Sequence, residues 1–440
     1  MTIVVVGIGA DGWAGLGEPA RAEITACDVL FGGPRQLDLV PVDVEKVPWP
    51  SPLLPALDEL FATHAGKRIC VLASGDPLLS GIGTTLLKRF TEGGPSDHRE
   101  ATLGTPDRVR VPRKTQQGGP SDHPEATPET PDRARVSRKT QEVRILPGVS
   151  SVALARARLG WSAEETEVIS VVGRSVHRVS RALAPGRRIL VLGSEPDEVA
   201  ALLTERGFGD SSMTALEQLA GPAERRVEAL AREWSEPTDP LTVLAIRCGS
   251  GPALPLLGLP DDVFEHDGQL TKRDMRASAL ARLAPVPGEL LWDVGAGAGS
   301  VAIEWSRAHP LNRAIAIERD PERAKRIERN AERLGVPELR VITGTAPGAL
   351  AGLPTPQAVF VGGGLAALDA CWSALAPGGR LVAHAVTLES EQALARAYTE
   401  HDGELIRIGV EHAAPLGGFT GWAPARTVTQ WSARKRWETA

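Results

Sequence analysis

The sequence predicts an α/β protein made of two modules with mostly parallel sheets. Three observations predict it: β-branched runs alternate with helical stretches, glycine-rich turns follow several strand ends, and a Gly/Pro-dense break falls past the middle. Length alone, 440 residues, would suggest about three domains. The 49 basic and 55 acidic residues give a formal charge of −6. No basic run is long enough to track a polyanion, so nucleic acid is not an expected partner. Cys27, Cys70, Cys248 and Cys371 lie far apart with no disulfide or metal spacing. They read as buried thiols in a reducing compartment, with no metal bound. The chain opens straight into an apolar run without a basic leader, and no apolar stretch approaches about 18 residues. A cytoplasmic chain with no membrane partner is expected.

The elements follow in order. Residues 3–6 are four β-branched residues in a row, the mark of a strand buried on both faces. Similar runs place first-half strands at 69–73, 143–146, 168–172, 188–192 and 241–247. Residues 249–262 carry Gly and Pro at a density that no helix tolerates, so the module boundary belongs there, with a linker at 251–266. Thr271 is then an expected N-cap, with Asp274 three residues on, for a helix over 275–283. Second-half strands are expected at 289–294, 313–318, 340–343, 358–361, 380–385, 405–410 and 427–432. Each half thus holds enough strands for a sheet of its own.

One segment differs in kind. Residues 93–116 recur at 118–141 with a 25-residue period and 19 of 24 positions identical. Its few apolar residues follow neither structural period, so it cannot offset the entropy of ordering. The segment 93–141 reads as a disordered, duplicated insertion.

The strongest chemical signal is LLWDVGAGAGSVAIEW at 290–305. A strand ends, Gly295, Ala296, Gly297, Ala298 and Gly299 turn the chain, and a helix follows. Glycines suit a backbone that a cofactor touches directly. Glu318 ends the next strand 23 residues after Gly295, where an acid can accept from both hydroxyls of a ribose. The spacing is G-x-G-x-G rather than the dinucleotide G-x-G-x-x-G, and Asp293 precedes it by two residues. A carboxylate there suits a cation better than a pyrophosphate. In the first half, VVVGIGADG at 4–12 matches the dinucleotide pattern literally at Gly7, Gly9 and Gly12, but a lone match is weak. The first good helix start after it is at Pro19. ASGDPLLSGIG at 73–83 and LPGVSS at 146–151 each follow a strand.

The C-terminal motif resembles motif I of the Rossmann-like (class I) methyltransferases that use S-adenosylmethionine (SAM), over about 271–431, including LAPGGRLV at 375–382. The segments GIGADG, SGDP and PGVSS together look like the three cofactor-lining segments of the tetrapyrrole methylase family, a two-lobed α/β fold that binds SAM in its cleft. This second resemblance spans about 1–250. Modules in this order resemble the precorrin-6Y C5,15-methyltransferase (decarboxylating) family of cobalamin biosynthesis, to whose C-terminal module TKRDMRA at 271–277, GTAP at 344–347 and FVGGG at 360–364 are also similar. The resemblance implies methylation of a tetrapyrrole at C5 by residues 1–250, and methylation at C15 with loss of CO2 by residues 267–437. It implies two SAM sites per chain and a homo-oligomer. By the family's pattern, cofactor contacts fall on Gly7, Gly9, Asp76 and Ser150 in the first module, and on Thr271, Gly295–Gly299, Glu318 and Ala346 in the second.

Methyl transfer to an electron-rich carbon needs alignment and exclusion of water more than a nucleophilic side chain. A macrocycle rich in carboxylates should meet cations, and Lys272, Arg273 and Arg276 are the candidates at the second loop. His384, after a strand, is a candidate proton donor for the decarboxylated carbon. Two other readings stay open on the residues: a tandem NAD-dependent oxidoreductase, favoured by Gly7–Gly12, and a SAM-binding regulator without turnover.

Overall fold

The structure is a computed structural model and describes residues 2–79, 81–90 and 142–437. The repeat expected to be disordered, 93–141, lies outside the described residues. The chain divides into two compact units, Met1–Ile8 with Leu16–Gly148, and Gly9–Gly15 with Val149–Ala440.

The first unit is built on a five-stranded sheet of β1 (Thr2–Ile8), β2 (Val29–Gly32), β3 (Glu45–Pro48), β4 (Ile69–Ser74) and β5 (Glu142–Leu146). Its order is β3-β2-β4-β1-β5, and all of its pairs are parallel. The β-branched run of β1 is explained by burial on both faces. Ile3 and Val5 join Phe31, Val71, Leu57, Phe61 and Leu86 in a core under the helices Leu53–Thr63 and Ile82–Phe90. The strands β2 and β3 are four residues each, too short for a periodic signal, and the sequence reading missed them.

The second unit holds a five-stranded and a seven-stranded sheet. The first contains β6 (Thr166–Ser170), β7 (Arg188–Leu192), β8 (Ser212–Glu217), β9 (Arg225–Leu230) and β10 (Thr242–Arg247), in the order β6-β7-β10-β8-β9. Only β6 and β7 run parallel. The second contains β11 (Leu290–Val294), β12 (Arg313–Glu318), β13 (Arg340–Thr343), β14 (Ala358–Val361), β15 (Arg380–Ala385), β16 (Glu404–Ile408) and β19 (Val428–Arg434). The remaining strands, β17 (Glu411–Leu416) and β18 (Phe419–Pro424), form a separate hairpin. The large sheet runs β13-β12-β11-β14-β15-β19-β16, with β19 antiparallel to both neighbours and the other pairs parallel. Strand order reverses at β11 and β14, which sets a ligand crevice at their carboxyl ends.

Several expectations change against this fold. Residues 149–250, read as part of the first module, share a unit with the second. Arg178 pairs with Glu338 at 3.0 Å, and a Cβ on Gly335 would lie 2.4 Å from the Arg181 amide nitrogen. The 251–266 stretch is not a free tether. Leu259 and Phe264 are buried in the core beneath β11, and the amides of Gly258 and Leu259 donate to Glu304 at 2.6 and 3.0 Å. The helix after it is Arg273–Leu283 with Lys272 as N-cap and no side-chain cap bond, so the expected Thr271 cap does not form. The Thr271 carbonyl instead accepts from Arg276 Nη1 at 2.7 Å. All four cysteines are free and buried. No helix among the described residues is long and apolar enough to cross a membrane, and among them no group of three or more metal-ligating side chains occurs.

Candidate functional site

At the switch point, Val294 hands the chain to a loop whose three glycines all have positive φ, +73°, +59° and +76° at Gly295, Gly297 and Gly299. The sequence reading assigned these glycines to cofactor contact. The structure gives an additional cause, because a Cβ at each would strike the protein itself. It would lie 2.8 Å from the Gly363 carbonyl oxygen at Gly295, 2.7 Å from the Gln269 carbonyl oxygen at Gly297, and 2.6 Å from Ile327 Cγ2 at Gly299. The FVGGG turn is therefore part of the site, since Gly363 packs on Gly295. Ala298 is buried and Ala296 half-buried within the loop, and Gly299 caps the helix Ser300–Ala308.

Two carboxylates flank the loop. Glu318, at the end of β12, is 4% exposed. Its Oε2 accepts from Gly297 N at 2.8 Å and its Oε1 from Asp320 N at 3.1 Å. Each oxygen keeps a second lone pair for a hydroxyl. Asp293 is buried on β11 rather than open on the loop. Its Oδ2 accepts from Ala302 N at 3.0 Å, one of the free amides in the first turn of the following helix, while Oδ1 has no hydrogen-bond partner. Desolvation, helped by the charge of Glu318, pushes this carboxyl up to about 7. An orphaned buried acceptor beside an acid with lone pairs left for hydroxyls is a donor set that SAM, with its ribose and cationic end, would fit.

The other expected residues separate. Lys272 and Arg273 are exposed at the start of their helix. Arg276 is fully buried and turns away from any substrate. It donates to Glu304 at 2.5 Å, to Asp261 at 3.2 Å and to the Thr271 and Leu259 carbonyls, with Phe264 against its guanidinium. Its donors hold the 259–271 segment, so the substrate-carboxylate expectation does not carry over to Arg276. His384 sits inside β15, within the strand expected at 380–385. Its Nε2 lies 2.9 Å from Gln430 Oε1 and its ring stands edge-on to Phe360. Burial holds the imidazole below its usual pKa, leaving it neutral near pH 7 and poorly suited to donate a proton. Ala346 is half-buried after β13.

In the first unit, β1, β4 and β5 end together. A Cβ on Gly7 would lie 1.9 Å from the Gly75 carbonyl oxygen and 2.4 Å from Gly148 N, and Gly148 N donates to Gly75 O at 3.1 Å. Three segments distant in sequence thus meet backbone to backbone. Asp76, beside Gly75, accepts from Leu78 N at 2.9 Å. Gly9 and Ser150 belong to the second unit. Ser150 is the N-cap of Ser151–Leu159, accepting from Ala153 N at 3.1 Å, and a Cβ on Gly9 would meet Asp11 Oδ1 at 2.5 Å. The dinucleotide reading loses its physical basis here. The helix at Gly12 has four residues, and the next, Glu18–Ala26, opens behind Gly17. So short a helix offers little dipole to a pyrophosphate.

Comparison with known proteins decides the family. The chain is 42% identical over 443 residues to a Sinorhizobium sp. protein named precorrin-6Y C(5,15)-methyltransferase (decarboxylating), covering 98% of this chain and 95% of the relative. The chain belongs to the precorrin-6Y C5,15-methyltransferase (decarboxylating) family. A Mycobacterium tuberculosis protein of the same name is 42% identical over 445 residues, covering 99% of this chain and all of the relative. The family profile described as "Precorrin methyltransferase domain" matches 262–435, and "Tetrapyrrole (Corrin/Porphyrin) Methylases" matches 129–234. A crystal structure of the C-terminal domain of precorrin-6Y C5,15-methyltransferase from Rhodobacter capsulatus is 49% identical, covers 41% of this chain and 100% of its own, and has a TM-score of 0.40. The precorrin methyltransferase profile begins at 262, inside the stretch read as a linker, in keeping with the packing of Phe264.

Proposed function

We propose that the chain methylates precorrin-6B at C5 and C15 and removes the ring C acetate carboxyl as CO2, giving precorrin-8X in cobalamin biosynthesis. The observation that carries this reading is the end-to-end relation to an enzyme named for both methylations and the decarboxylation. The proposal assigns C5 to residues 1–250, and C15 with decarboxylation to 267–437. It places the reaction in the cytoplasm and gives each chain two sites for SAM, which supplies an electrophilic methyl group when bound. In the second site Gly295–Gly299, Glu318, Thr271 and Ala346 would hold it, beside the buried Asp293. In the first, the family's pattern assigns contacts to Gly7 and Asp76 of the first unit, and separately to Gly9 and Ser150 of the second.

The chain's own residues then act by orientation and by excluding water, which methyl transfer to carbon demands most. Lys272 and Arg273 remain the candidates for the carboxylates of the macrocycle, supported by their exposure, although Lys272 also lies 3.8 Å from Asp261. Neither metal, nucleic acid nor membrane is needed. The hairpin of β17 and β18 supports a homo-oligomer, since its Leu416, Phe419 and Trp422 are largely exposed.

Mass spectrometry of precorrin-6B incubated with enzyme and SAM tests the reading. Gain of two methyl groups and loss of one CO2 is expected. Tight NADH binding without SAM binding, or no mass change, refutes it.

A further inference from the structure

The second glycine loop is gripped by residues that no motif contains. Asn330, in the helix Pro321–Arg333, is 1% exposed. Its Nδ2 donates to the Ala298 carbonyl at 3.1 Å and to the Glu265 carbonyl at 2.9 Å, while its Oδ1 accepts from Glu265 N at 2.9 Å. One side chain thus ties the glycine loop to the segment 265–271. That segment has no regular structure and returns to the loop at Gln269, whose carbonyl oxygen blocks any Cβ on Gly297.

Ion pairs hold the same segment from outside. Asp267 Oδ2 takes Arg323 Nε at 2.8 Å and Arg326 Nη1 at 3.2 Å, and its Oδ1 accepts from Gln269 N at 3.2 Å. Glu265 takes a forked pair from Arg329. Ordering irregular chain costs about 1–2 kcal/mol per residue, and from 265 to 271 only the partly buried Leu270 packs on the core. The polar ties must therefore supply most of the order.

We infer that Asn330 and Asp267 are positioning residues for the second cofactor loop, holding 265–271 as a strap against Gly297 and Ala298. If the strap opens, the binding-competent fraction of the site falls, and apparent affinity falls in proportion. This rests on the SAM reading of that loop.

The test is calorimetric titration of the full-length chain with S-adenosylhomocysteine at 0.05 and 0.5 M NaCl. Asp267→Asn, a change at a partly exposed position, should weaken about fivefold at low salt the binding class that Gly297→Val removes, the scale of two partly exposed ion pairs. High salt should weaken the same class in the native chain and change little in the variant, a response that mere loss of packing does not produce. Asp267→Glu should restore most of the affinity. Asn330→Asp, which removes the donor to Ala298, should weaken that class tenfold or more if the variant folds. Unchanged affinity and salt response in Asp267→Asn, beside a native chain that binds, overturns the strap. A native chain that binds no S-adenosylhomocysteine overturns the SAM reading, and the strap with it.

Discussion

Asp293 links the site to stability through pH. Its carboxyl is buried, with one oxygen on Ala302 N and the other unpaired, and desolvation raises its pKa from the ordinary 3.8 to about 7. The unfolded chain ionises near 3.8 while the folded chain keeps the proton until about pH 7. Relative stability from this group is therefore full below pH 4 and lost as pH rises through 7. At about 1.4 kcal/mol per pH unit, the gap amounts to roughly 4 kcal/mol. Asp293→Asn keeps the acceptor for Ala302 and does not titrate. Its unpaired amide donor costs about 1–3 kcal/mol at every pH, which cancels when the difference between the two proteins is followed against pH. The stability of the variant relative to the native chain should rise by roughly 3 kcal/mol between pH 4.5 and 8, the rest of the gap lying below pH 4.5. Urea titrations of both proteins at four pH values, read by tryptophan emission, measure that difference. A difference that stays flat within about 1 kcal/mol refutes the buried, proton-holding carboxyl.

Four further outcomes follow from the geometry. Glu304→Ala should destabilise the second unit by about 3–5 kcal/mol in urea, because it strands the fully buried Arg276 and two backbone amides. Gly297→Val should abolish C15 methylation and decarboxylation while the C5 product still forms by mass spectrometry, since its side chain has no room against Gln269. Gly7→Ala should do the converse, because its Cβ would meet Gly75 and Gly148. Ala284→Gly should raise the melting temperature by the equivalent of about 0.5–1 kcal/mol, since Ala284 ends its helix at φ +45°.

The sequence was legible wherever a feature is local. The strands 313–318, 340–343, 358–361 and 380–385 fall at the expected residues because each is an apolar run set off by turn residues. The hairpin of β17 and β18 was missed although Gly417–Gly418 is a turn signal, because its polar and proline-containing strands make no alternating pattern. Arg276 and His384 were misplaced for a different reason. Their roles depend on partners 28 and 46 residues away, Glu304 and Gln430. Asn330 and Asp267 carry no signal at all, since an asparagine on an Arg/Glu-rich helix and an aspartate in a loop look like solvated surface.

The two glycine clusters show what such motifs measure. At Gly7, Gly295, Gly297 and Gly299 the excluded Cβ would meet protein, so the glycines are required before any ligand arrives. A glycine pattern therefore reports close packing at strand ends, in the first unit among β1, β4 and β5, and in the second of the loop after β11 against Gly363, Gln269 and Ile327. It does not by itself report what binds there. Beside the second loop stand acceptors the fold leaves unfinished, namely the unpaired Asp293 Oδ1 and the remaining lone pairs of Glu318. Among the described residues the first cluster shows no comparable group, since Asp76 is partly exposed and already accepts from Leu78 N. The proposed site at the second loop therefore has free acceptors beside it, while the one at the first rests on kinship, and binding stoichiometry is the measurement that tells them apart. A single S-adenosylhomocysteine per chain would leave Gly7, Gly75 and Gly148 as packing alone.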